Sequence, residues 1–373
     1  MSRSLATSKR LVVKIGSALL VEQESGTLKR AWLEALAEDL ARLKAEGVEL
    51  VIVSSGAIAL GRRHLRLPSG ALALEQKQAA AATGQIRLAH AWQEALARHQ
   101  ITCAQVLVTL EDTEERRRHL NARATIATLL SLGAVPVINE NDTVATSEIR
   151  FGDNDRLAAR VAQMISADTL VLLSDIDGLY TADPRKDKEA AHIAEVGRVN
   201  GEIEGMAGEA PPGYSSGGMV TKIAAAKIAQ GAGCRMAIAN GKIMHPLAAL
   251  ADGARCTWFK PDTQPKTARK RWIAGSVKPV GWVKVDAGAA RALGRGKSLL
   301  PAGIVEIGGR FERGDPIEVR DADGTVLARG LSAYSAADAK RIKGHKSGDI
   351  ETILGYRGRD EMIHRDDMVL EQA

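Results

Sequence analysis

The run Val135-Pro-Val-Ile-Asn-Glu-Asn-Asp-Thr-Val-Ala-Thr-Ser-Glu-Ile-Arg-Phe-Gly-Asp-Asn-Asp155 decides how the rest of the chain is read. Its apolar start, Val135 to Ile138, predicts a short strand that empties into a polar turn carrying Asn139, Glu140, Asn141 and Asp142. A second turn, Gly152-Asp-Asn-Asp155, opens a helix beginning Arg156-Leu-Ala-Ala. In an open α/β sheet, ligands sit just beyond the carboxyl ends of the strands. Carboxylates and amides gathered there suit a small polar ligand, although the same residue types also serve as plain turns and helix caps. Acidic groups alone would repel phosphate, so any phosphate chemistry needs cationic partners elsewhere.

Working outward, apolar strands alternate with amphipathic helices. Arg10-Leu-Val-Val-Lys14 reads as a strand ending in Ile15-Gly16-Ser17. A lysine that closes a buried strand borders the ligand crevice, which makes Lys14 a candidate phosphate contact; a lysine snorkelling from the sheet edge is the alternative. Leu33, Leu36, Leu40 and Leu43 give helical spacing to the stretch from Leu28 to Ala45, and Gly47 ends it. Val48 to Val53 is a second strand, delivering Ser54-Ser-Gly-Ala57. Small hydroxyl residues and glycine at such a junction leave backbone N–H groups for an anion, as a tight turn without a ligand also would. A helical region from Ala71 to His99, a strand from Ile101 to Leu110 and a charged helix from Glu111 to Leu130 then lead to the deciding stretch.

Beyond it, a strand from Asp168 runs into Ser174, Asp175 and Asp177, and Tyr214-Ser-Ser-Gly-Gly-Met-Val-Thr-Lys222 opens another helix. Two glycines and hydroxyl residues ahead of a helix, with a lysine in its first turns, can assemble an anion site from backbone donors, helix dipole and ammonium. The spacing is not that of a Walker loop. The alternation predicts an α/β fold with a mostly parallel central sheet and helices on both faces. Right-handed crossovers would gather Lys14, Ser55, Asp142 and Asp155 on one rim.

From Pro261 onward the pattern changes to short strands, Gly281 to Val285, Gly303 to Ile307, Pro316 to Val319 and Val326 to Ala328, separated by turns such as Asp323-Gly324. This predicts a small β-rich, barrel-like domain. The expected division is residues 1–260, a linker over 261–276 and a second domain over 277–373. A chain of 373 residues with 45% hydrophobic and 26% charged residues has the profile of a folded globular protein. Aromatic residues, at 3%, are too few for an extended base-stacking platform. Cys103, Cys234 and Cys256 are isolated, which favours free thiols over a disulfide framework or a metal cage. No apolar run has bilayer length and the start lacks a signal-peptide core, so no membrane is expected and the cytoplasm is the default. The net charge of +6 is spread thinly: Pro261 onward carries 20 Lys/Arg against 16 Asp/Glu.

Taken jointly, Val13-Lys-Ile-Gly-Ser17, Val53-Ser-Ser-Gly-Ala57, Ile138-Asn-Glu-Asn-Asp142, Phe151-Gly-Asp-Asn-Asp155 and Gly217-Gly-Met-Val-Thr-Lys222 resemble the amino acid kinase family, most closely its glutamate-phosphorylating members. Lys297-Ser-Leu-Leu-Pro-Ala-Gly-Ile304 and His364-Arg-Asp-Asp367 are similar to the PUA domain often attached to them. The resemblance implies ATP-dependent phosphorylation of the γ-carboxylate of L-glutamate to L-glutamyl 5-phosphate, the first step of proline synthesis. It further implies Mg²⁺, proline as feedback inhibitor and a homo-oligomer, dimer or tetramer. It puts Lys14 and Lys222 at the transferring phosphoryl group with Asp155 holding both ammonium groups. Ser55, Asp142, Asn154 and Asp153 fall to glutamate, and Lys14, Ser174, Asp175, Ser216, Gly217, Gly218, Met219, Val220, Thr221 and Lys222 to ATP. The metal's ligands are undefined, with Asp175 and Asp177 as candidates. Ser54 and Ser174 stand where Thr is usual, and Arg156 brings an extra charge beside the site. Two other readings stay open: a relative acting on another carboxylate or a carbamate, and an RNA-binding protein working through the PUA domain. For RNA, the stretch Arg271 to Lys297 carries six Lys/Arg against one Asp; against it, the last segment is not basic, and a basic stretch is more often a solvated face.

Overall fold

Burial follows the apolar runs of the sequence in the central strands, Arg10–Ile15, Glu49–Ser54, Val135–Glu140 and Thr169–Ser174. A computed structural model describes residues 5–22, 25–144, 154–207, 218–261, 264–265 and 279–371. Contacts divide the chain into two units, Met1–Glu115 with Asn121–Pro265, and Arg116–Leu120 with Lys266–Ala373. In the first unit the strands are β1 (Arg10–Ile15), β2 (Glu49–Ser54), β3 (Cys103–Val108), β4 (Val135–Glu140) and β5 (Thr169–Ser174), then the short β6 (Leu179–Tyr180), β7 (His192–Ile193) and β8 (Glu195–Val196), and finally β9 (Arg235–Asn240) and β10 (Cys256–Phe259). Eight of them form one sheet in the order β3-β4-β2-β1-β5-β9-β10-β8. All its pairs are parallel except β9 with β10. Every residue of β4 and β5 is buried, which explains their near-continuous Val, Ile and Leu: a parallel sheet is covered on both faces.

The helices that cover it are α1 (Ser17–Leu20), α2 (Arg30–Ala45), α3 (Ala57–His64), α4 (Leu74–Ala97), α5 (Leu110–Glu114), α6 (Arg116–Ser131), α7 (Asn154–Met164), α8 (Gly201–Gly205), α9 (Met219–Gly231) and α10 (Pro246–Ala251). Because side chains alternate along a strand, β1 feeds two cores. Leu11, Val13 and Ile15 pack with Leu36 and Leu40 of α2, Trp92 of α4 and Leu247 of α10. Val12 joins Val53, Leu170 and Leu172 against Leu157 and Val161 of α7 and Ile223 of α9. Lys14 shares the parity of Val12, so the strand aims it at the layer of α7 and α9.

Two departures from the helix bounds expected from the sequence have a local physical cause. The charged helix expected over Glu111 to Leu130 is two helices, because Glu115 is extended (φ −71°, ψ 119°) and α5 is closed at its start by reciprocal bonds between Thr109 and Asp112. The long helix begins at Leu74 rather than Ala71, where Gln76 Oε1 accepts from the Ala73 N–H at 3.0 Å. Helices α3 and α4 cross with backbones in contact: a Cβ on Gly61 would lie 1.8 Å from the Ala80 carbonyl oxygen, and one on Gly84 1.8 Å from that of Ala57. Only glycine permits that approach.

The second unit contains a five-stranded sheet ordered β12-β11-β13-β14-β15, with β11 (Gly281–Val285), β12 (Ile304–Gly309), β13 (Pro316–Arg320), β14 (Val326–Leu331) and β15 (Met368–Leu370). Its core joins Val283, Ile317, Val319 and Phe311 to Tyr334, Ile342, Met362 and Ile363. β11 pairs in parallel with β13, and β15 extends the sheet beyond the four strands read from the sequence.

Candidate active site

The carboxyl ends of β1, β2, β4 and β5 lie side by side, and the elements that leave them bring three charges together. Lys14 ends β1, Asp155 lies in the first turn of α7, and Lys222 lies in the first turns of α9. Lys14 Nζ is 2.6 Å from Asp155 Oδ1, and Lys222 Nζ is 3.1 Å from Asp155 Oδ2. The Thr221 hydroxyl lies 2.9 Å from the same Oδ2 and 2.8 Å from the Gly218 carbonyl oxygen. All three charged residues are buried, at 6%, 1% and 5% relative exposure for Lys14, Asp155 and Lys222. Burial pushes the Asp155 carboxyl up, but the two ammonium groups beside it prevail and hold it well below the usual carboxylate range. The trio therefore holds two cations against one anion, an excess of positive charge in a weakly screened setting. Such a cluster can attract and hold a phosphate-bearing ligand.

Next to it a chain of amides runs from α4 through β4 to α7. Gln85 Oε1 accepts from Asn139 Nδ2 at 2.8 Å, and Asn139 Oδ1 accepts from Asn154 Nδ2 at 3.0 Å. Asn154 Nδ2 also donates to Ser55 Oγ at 2.7 Å. Ser54, one residue earlier, accepts from the buried Trp92 indole N–H at 2.9 Å, so α4 braces both hydroxyls of the β2 turn. Asp142 follows β4 and is buried, and burial alone pushes its carboxyl up to about 6. Among the described residues no cation is paired with it. Asn141 makes the turn, its N–H donating to the Val108 carbonyl at 2.9 Å and its side-chain oxygen accepting from Thr143 at 2.7 Å.

On the β5 side, Ser174 is buried and its hydroxyl donates to Asp175 Oδ1 at 3.2 Å, while Asp175 itself is exposed. Asp177 is engaged by the Tyr180 hydroxyl at 2.9 Å and lies 3.8 Å from Arg255, which argues against it as a free metal ligand. No group of three or more His, Cys, Asp or Glu side chains among the described residues is arranged to hold a metal ion. Gly218 and Val220 are exposed and Met219 is half-buried where α9 begins. Arg156 is exposed on α7. Asp153, Ser216 and Gly217 lie outside the described residues.

Of the site residues expected from the sequence, Lys14, Lys222 and Asp155 join in one cluster, Ser55 is linked to Asn154, and Asp142 is buried at the end of β4. Gln85 and Trp92 are not among those expectations. The available signal was the pair of small-residue spacings Ala57-x-x-x-Gly61 and Ala80-x-x-x-Gly84, which lock α4 against the helix that follows Ser55. Cys234 and Cys256 are buried free thiols and Cys103 is half-buried. No helix among the described residues is long and apolar enough to cross a membrane.

The amino acid kinase family model matches residues 9–240, and the PUA domain model matches residues 281–354. The chain is 67% identical over 367 residues to the glutamate 5-kinase of Paramagnetospirillum magneticum, an alignment covering 98% of this chain and 99% of that protein. It is 61% identical over 372 residues to the glutamate 5-kinase of a Bradyrhizobium strain, covering 100% and 98% respectively. Among solved structures, a UMP kinase from Bacillus anthracis aligns with a TM-score of 0.50 at 15% identity, over 69% of this chain and 97% of that one. That likeness is one of fold.

Proposed function

The chain belongs to the amino acid kinase family, and from that premise we propose that it transfers the γ-phosphoryl group of ATP to the side-chain carboxylate of L-glutamate. The product is L-glutamyl 5-phosphate, and the reaction opens proline biosynthesis. The observation that carries this reading is the juxtaposition at one sheet rim of a two-lysine, one-aspartate cluster with a buried carboxylate that no described cation neutralises. The first suits a phosphoryl group in flight and the second suits the ammonium of an amino acid.

A γ-carboxylate is ionised at neutral pH and attacks without a general base, so the protein's task is alignment and charge compensation. Lys14 and Lys222 donate to oxygens of the transferring group, where charge is redistributed in the transition state. Asp155 accepts from both ammonium groups and so orients their remaining N–H donors, staying ionised as it does so. Asp142 takes the substrate's α-ammonium. Asn154 and Ser55 supply polar contacts to its α-carbon end, and Asp153, next to Asn154 in sequence, is assigned to glutamate with them. Ser174, Asp175 and the sequence Ser216 to Lys222, which runs into α9, hold the nucleotide. Asp175 is the remaining candidate to touch the shell of a Mg²⁺ ion, which would be held mainly by the nucleotide phosphates and would offset their charge.

Proline, which also carries an α-carboxylate and a cationic nitrogen, is proposed as feedback inhibitor, and a homo-oligomer, dimer or tetramer, as the working assembly. A cytoplasmic location is proposed as well, in keeping with the buried free thiols. The deciding experiment incubates the protein with ATP, Mg²⁺, glutamate and hydroxylamine. Acyl hydroxamate should form with glutamate and not with N-acetylglutamate, whose nitrogen carries no charge; absence of product with glutamate overturns the reading.

A further inference from the structure

We propose that Gln85 of α4 is a positioning residue that sets which end of the substrate-facing amide points at the amino acid. The inference rests on the assignment of Ser55, Asp142 and Asn154 to glutamate. A primary amide presents a donor at one end and an acceptor at the other, and its neighbours decide which way round it sits. Here the order is set from outside the site. Gln85 Oε1 accepts from Asn139 Nδ2, which turns Asn139 Oδ1 toward Asn154. Asn154 then directs its Nδ2 at both Asn139 Oδ1 and Ser55 Oγ. Its two N–H bonds are spent, and its Oδ1 is buried without a hydrogen-bond partner among the described residues.

The consequence is a sorting of polarity. Asn154 Oδ1 is left as an acceptor suited to an ammonium, and Ser55, already accepting through Oγ, keeps its proton to donate to a carboxylate. Reversing one amide in the chain would reverse the next, and Asn154 would offer N–H bonds to a cation. Gln85 does not line the charged cluster, so it acts through Asn139. Its own place is fixed by the residue before it: Gly84 lets the backbones of α3 and α4 touch, which holds α4 in one register against the turn carrying Ser55.

The test compares Gln85→Met, which keeps length and loses the acceptor, with Gln85→Glu, which keeps an acceptor oxygen. Gln85→Met should raise the KM for glutamate about tenfold, as expected when one ordering hydrogen bond is lost. Its kcat, its KM for ATP and its melting temperature should stay near those of the wild type. The preference for glutamate over glutarate, which lacks the α-ammonium, should fall by a similar factor. Gln85→Glu should retain most of both the affinity and the preference. An unchanged KM in Gln85→Met, a parallel rise in the KM for ATP with a lowered melting temperature, or equal damage in Gln85→Glu would each overturn the proposal. Wild-type protein that makes no hydroxamate from glutamate defeats the substrate assignment itself, whereas active wild type with indifferent variants defeats only the role of Gln85.

Discussion

Replacing Asp142 by Asn should make the empty protein more stable at alkaline pH while impairing its use of glutamate. The Asp142 carboxyl is pushed up by burial from 3.8 to about 6. The folded state therefore favours the protonated form. Stability from this group is fully present below 3.8 and is lost as pH rises through about 6. A rise of about two units corresponds to ~3 kcal/mol, so at pH 8 the empty wild type carries a penalty of that order that Asp142→Asn escapes. For a unit of this size the difference is roughly 6 °C or more in melting temperature. Ligand-free melts of both proteins from pH 4 to pH 8 should show the variant ahead at pH 8, with the gap closing toward pH 4. Saturating glutamate should raise the wild-type melting temperature at pH 8 and leave the variant nearly unmoved. In turnover, kcat/KM for glutamate should fall on the acid side with a midpoint near 6 in the wild type, and that limb should vanish in the variant. The KM should rise by roughly 10- to 100-fold, the loss of a charged hydrogen bond. A variant no more stable than the wild type at pH 8, or a gap indifferent to pH, would refute the reasoning.

Three further outcomes follow from the same geometry. Lys14→Ala and Lys222→Ala should each lower kcat by roughly 10²–10³, or ~2.7–4 kcal/mol in barrier, the cost of one lost donor to developing charge; steady-state assays in which only the KM for ATP rises would remove the catalytic assignment. Asp155→Ala leaves two buried ammonium groups without their shared partner and should destabilise the protein by about 3–5 kcal/mol in urea unfolding, whereas a change below about 1 kcal/mol would mean that water already screens the cluster. Gly84→Ala drives a methyl into the Ala57 carbonyl, 1.8 Å from the new Cβ, and should cost about 1–3 kcal/mol as an overpacked contact. Because α3 and α4 must then separate, its KM for glutamate should rise while its KM for ATP holds.

Much of this arrangement could be read from the chain because its signals are local. A lysine in an otherwise apolar buried strand, as at Lys14, is costly unless something pairs with it. Asp155 and Lys222 each sit where a polar turn passes into a helix. Buried strands announced themselves as continuous Val, Ile and Leu. What escaped depended on distant packing. Nothing nearby separates Gln85 from Gln76 or Gln78, and only the glycine-mediated crossing of α3 and α4 turns the first toward β4. The antiparallel β10 reads like any other apolar strand, although α10 and its flanking turns separate it from β9, the strand it pairs with. The break at Glu115 is likewise invisible to composition, since Glu114, Arg116 and Arg117 on either side all favour a helix.

The two halves of the site come from opposite layers of the sheet, which bears on how one protein can both choose its substrate and transfer phosphate to it. The charged cluster belongs to the layer of α7 and α9, reached by the parity of Lys14 along β1. The selecting amides start in the layer of α2 and α4 and cross through Asn139 at the end of β4. Asn154 and Asp155 are neighbours in the first turn of α7, so the residue that ends the amide chain is bonded directly to the one that anchors both lysines. A shift of α4 passed along the amide chain reaches the cluster through that turn, and is resisted there by two ion pairs. Selection can be altered from the α4 side while the phosphoryl-binding cations stay where they are, and this is why changes at Gln85 or Gly84 should appear in the KM for glutamate and changes at Lys14 or Lys222 in kcat.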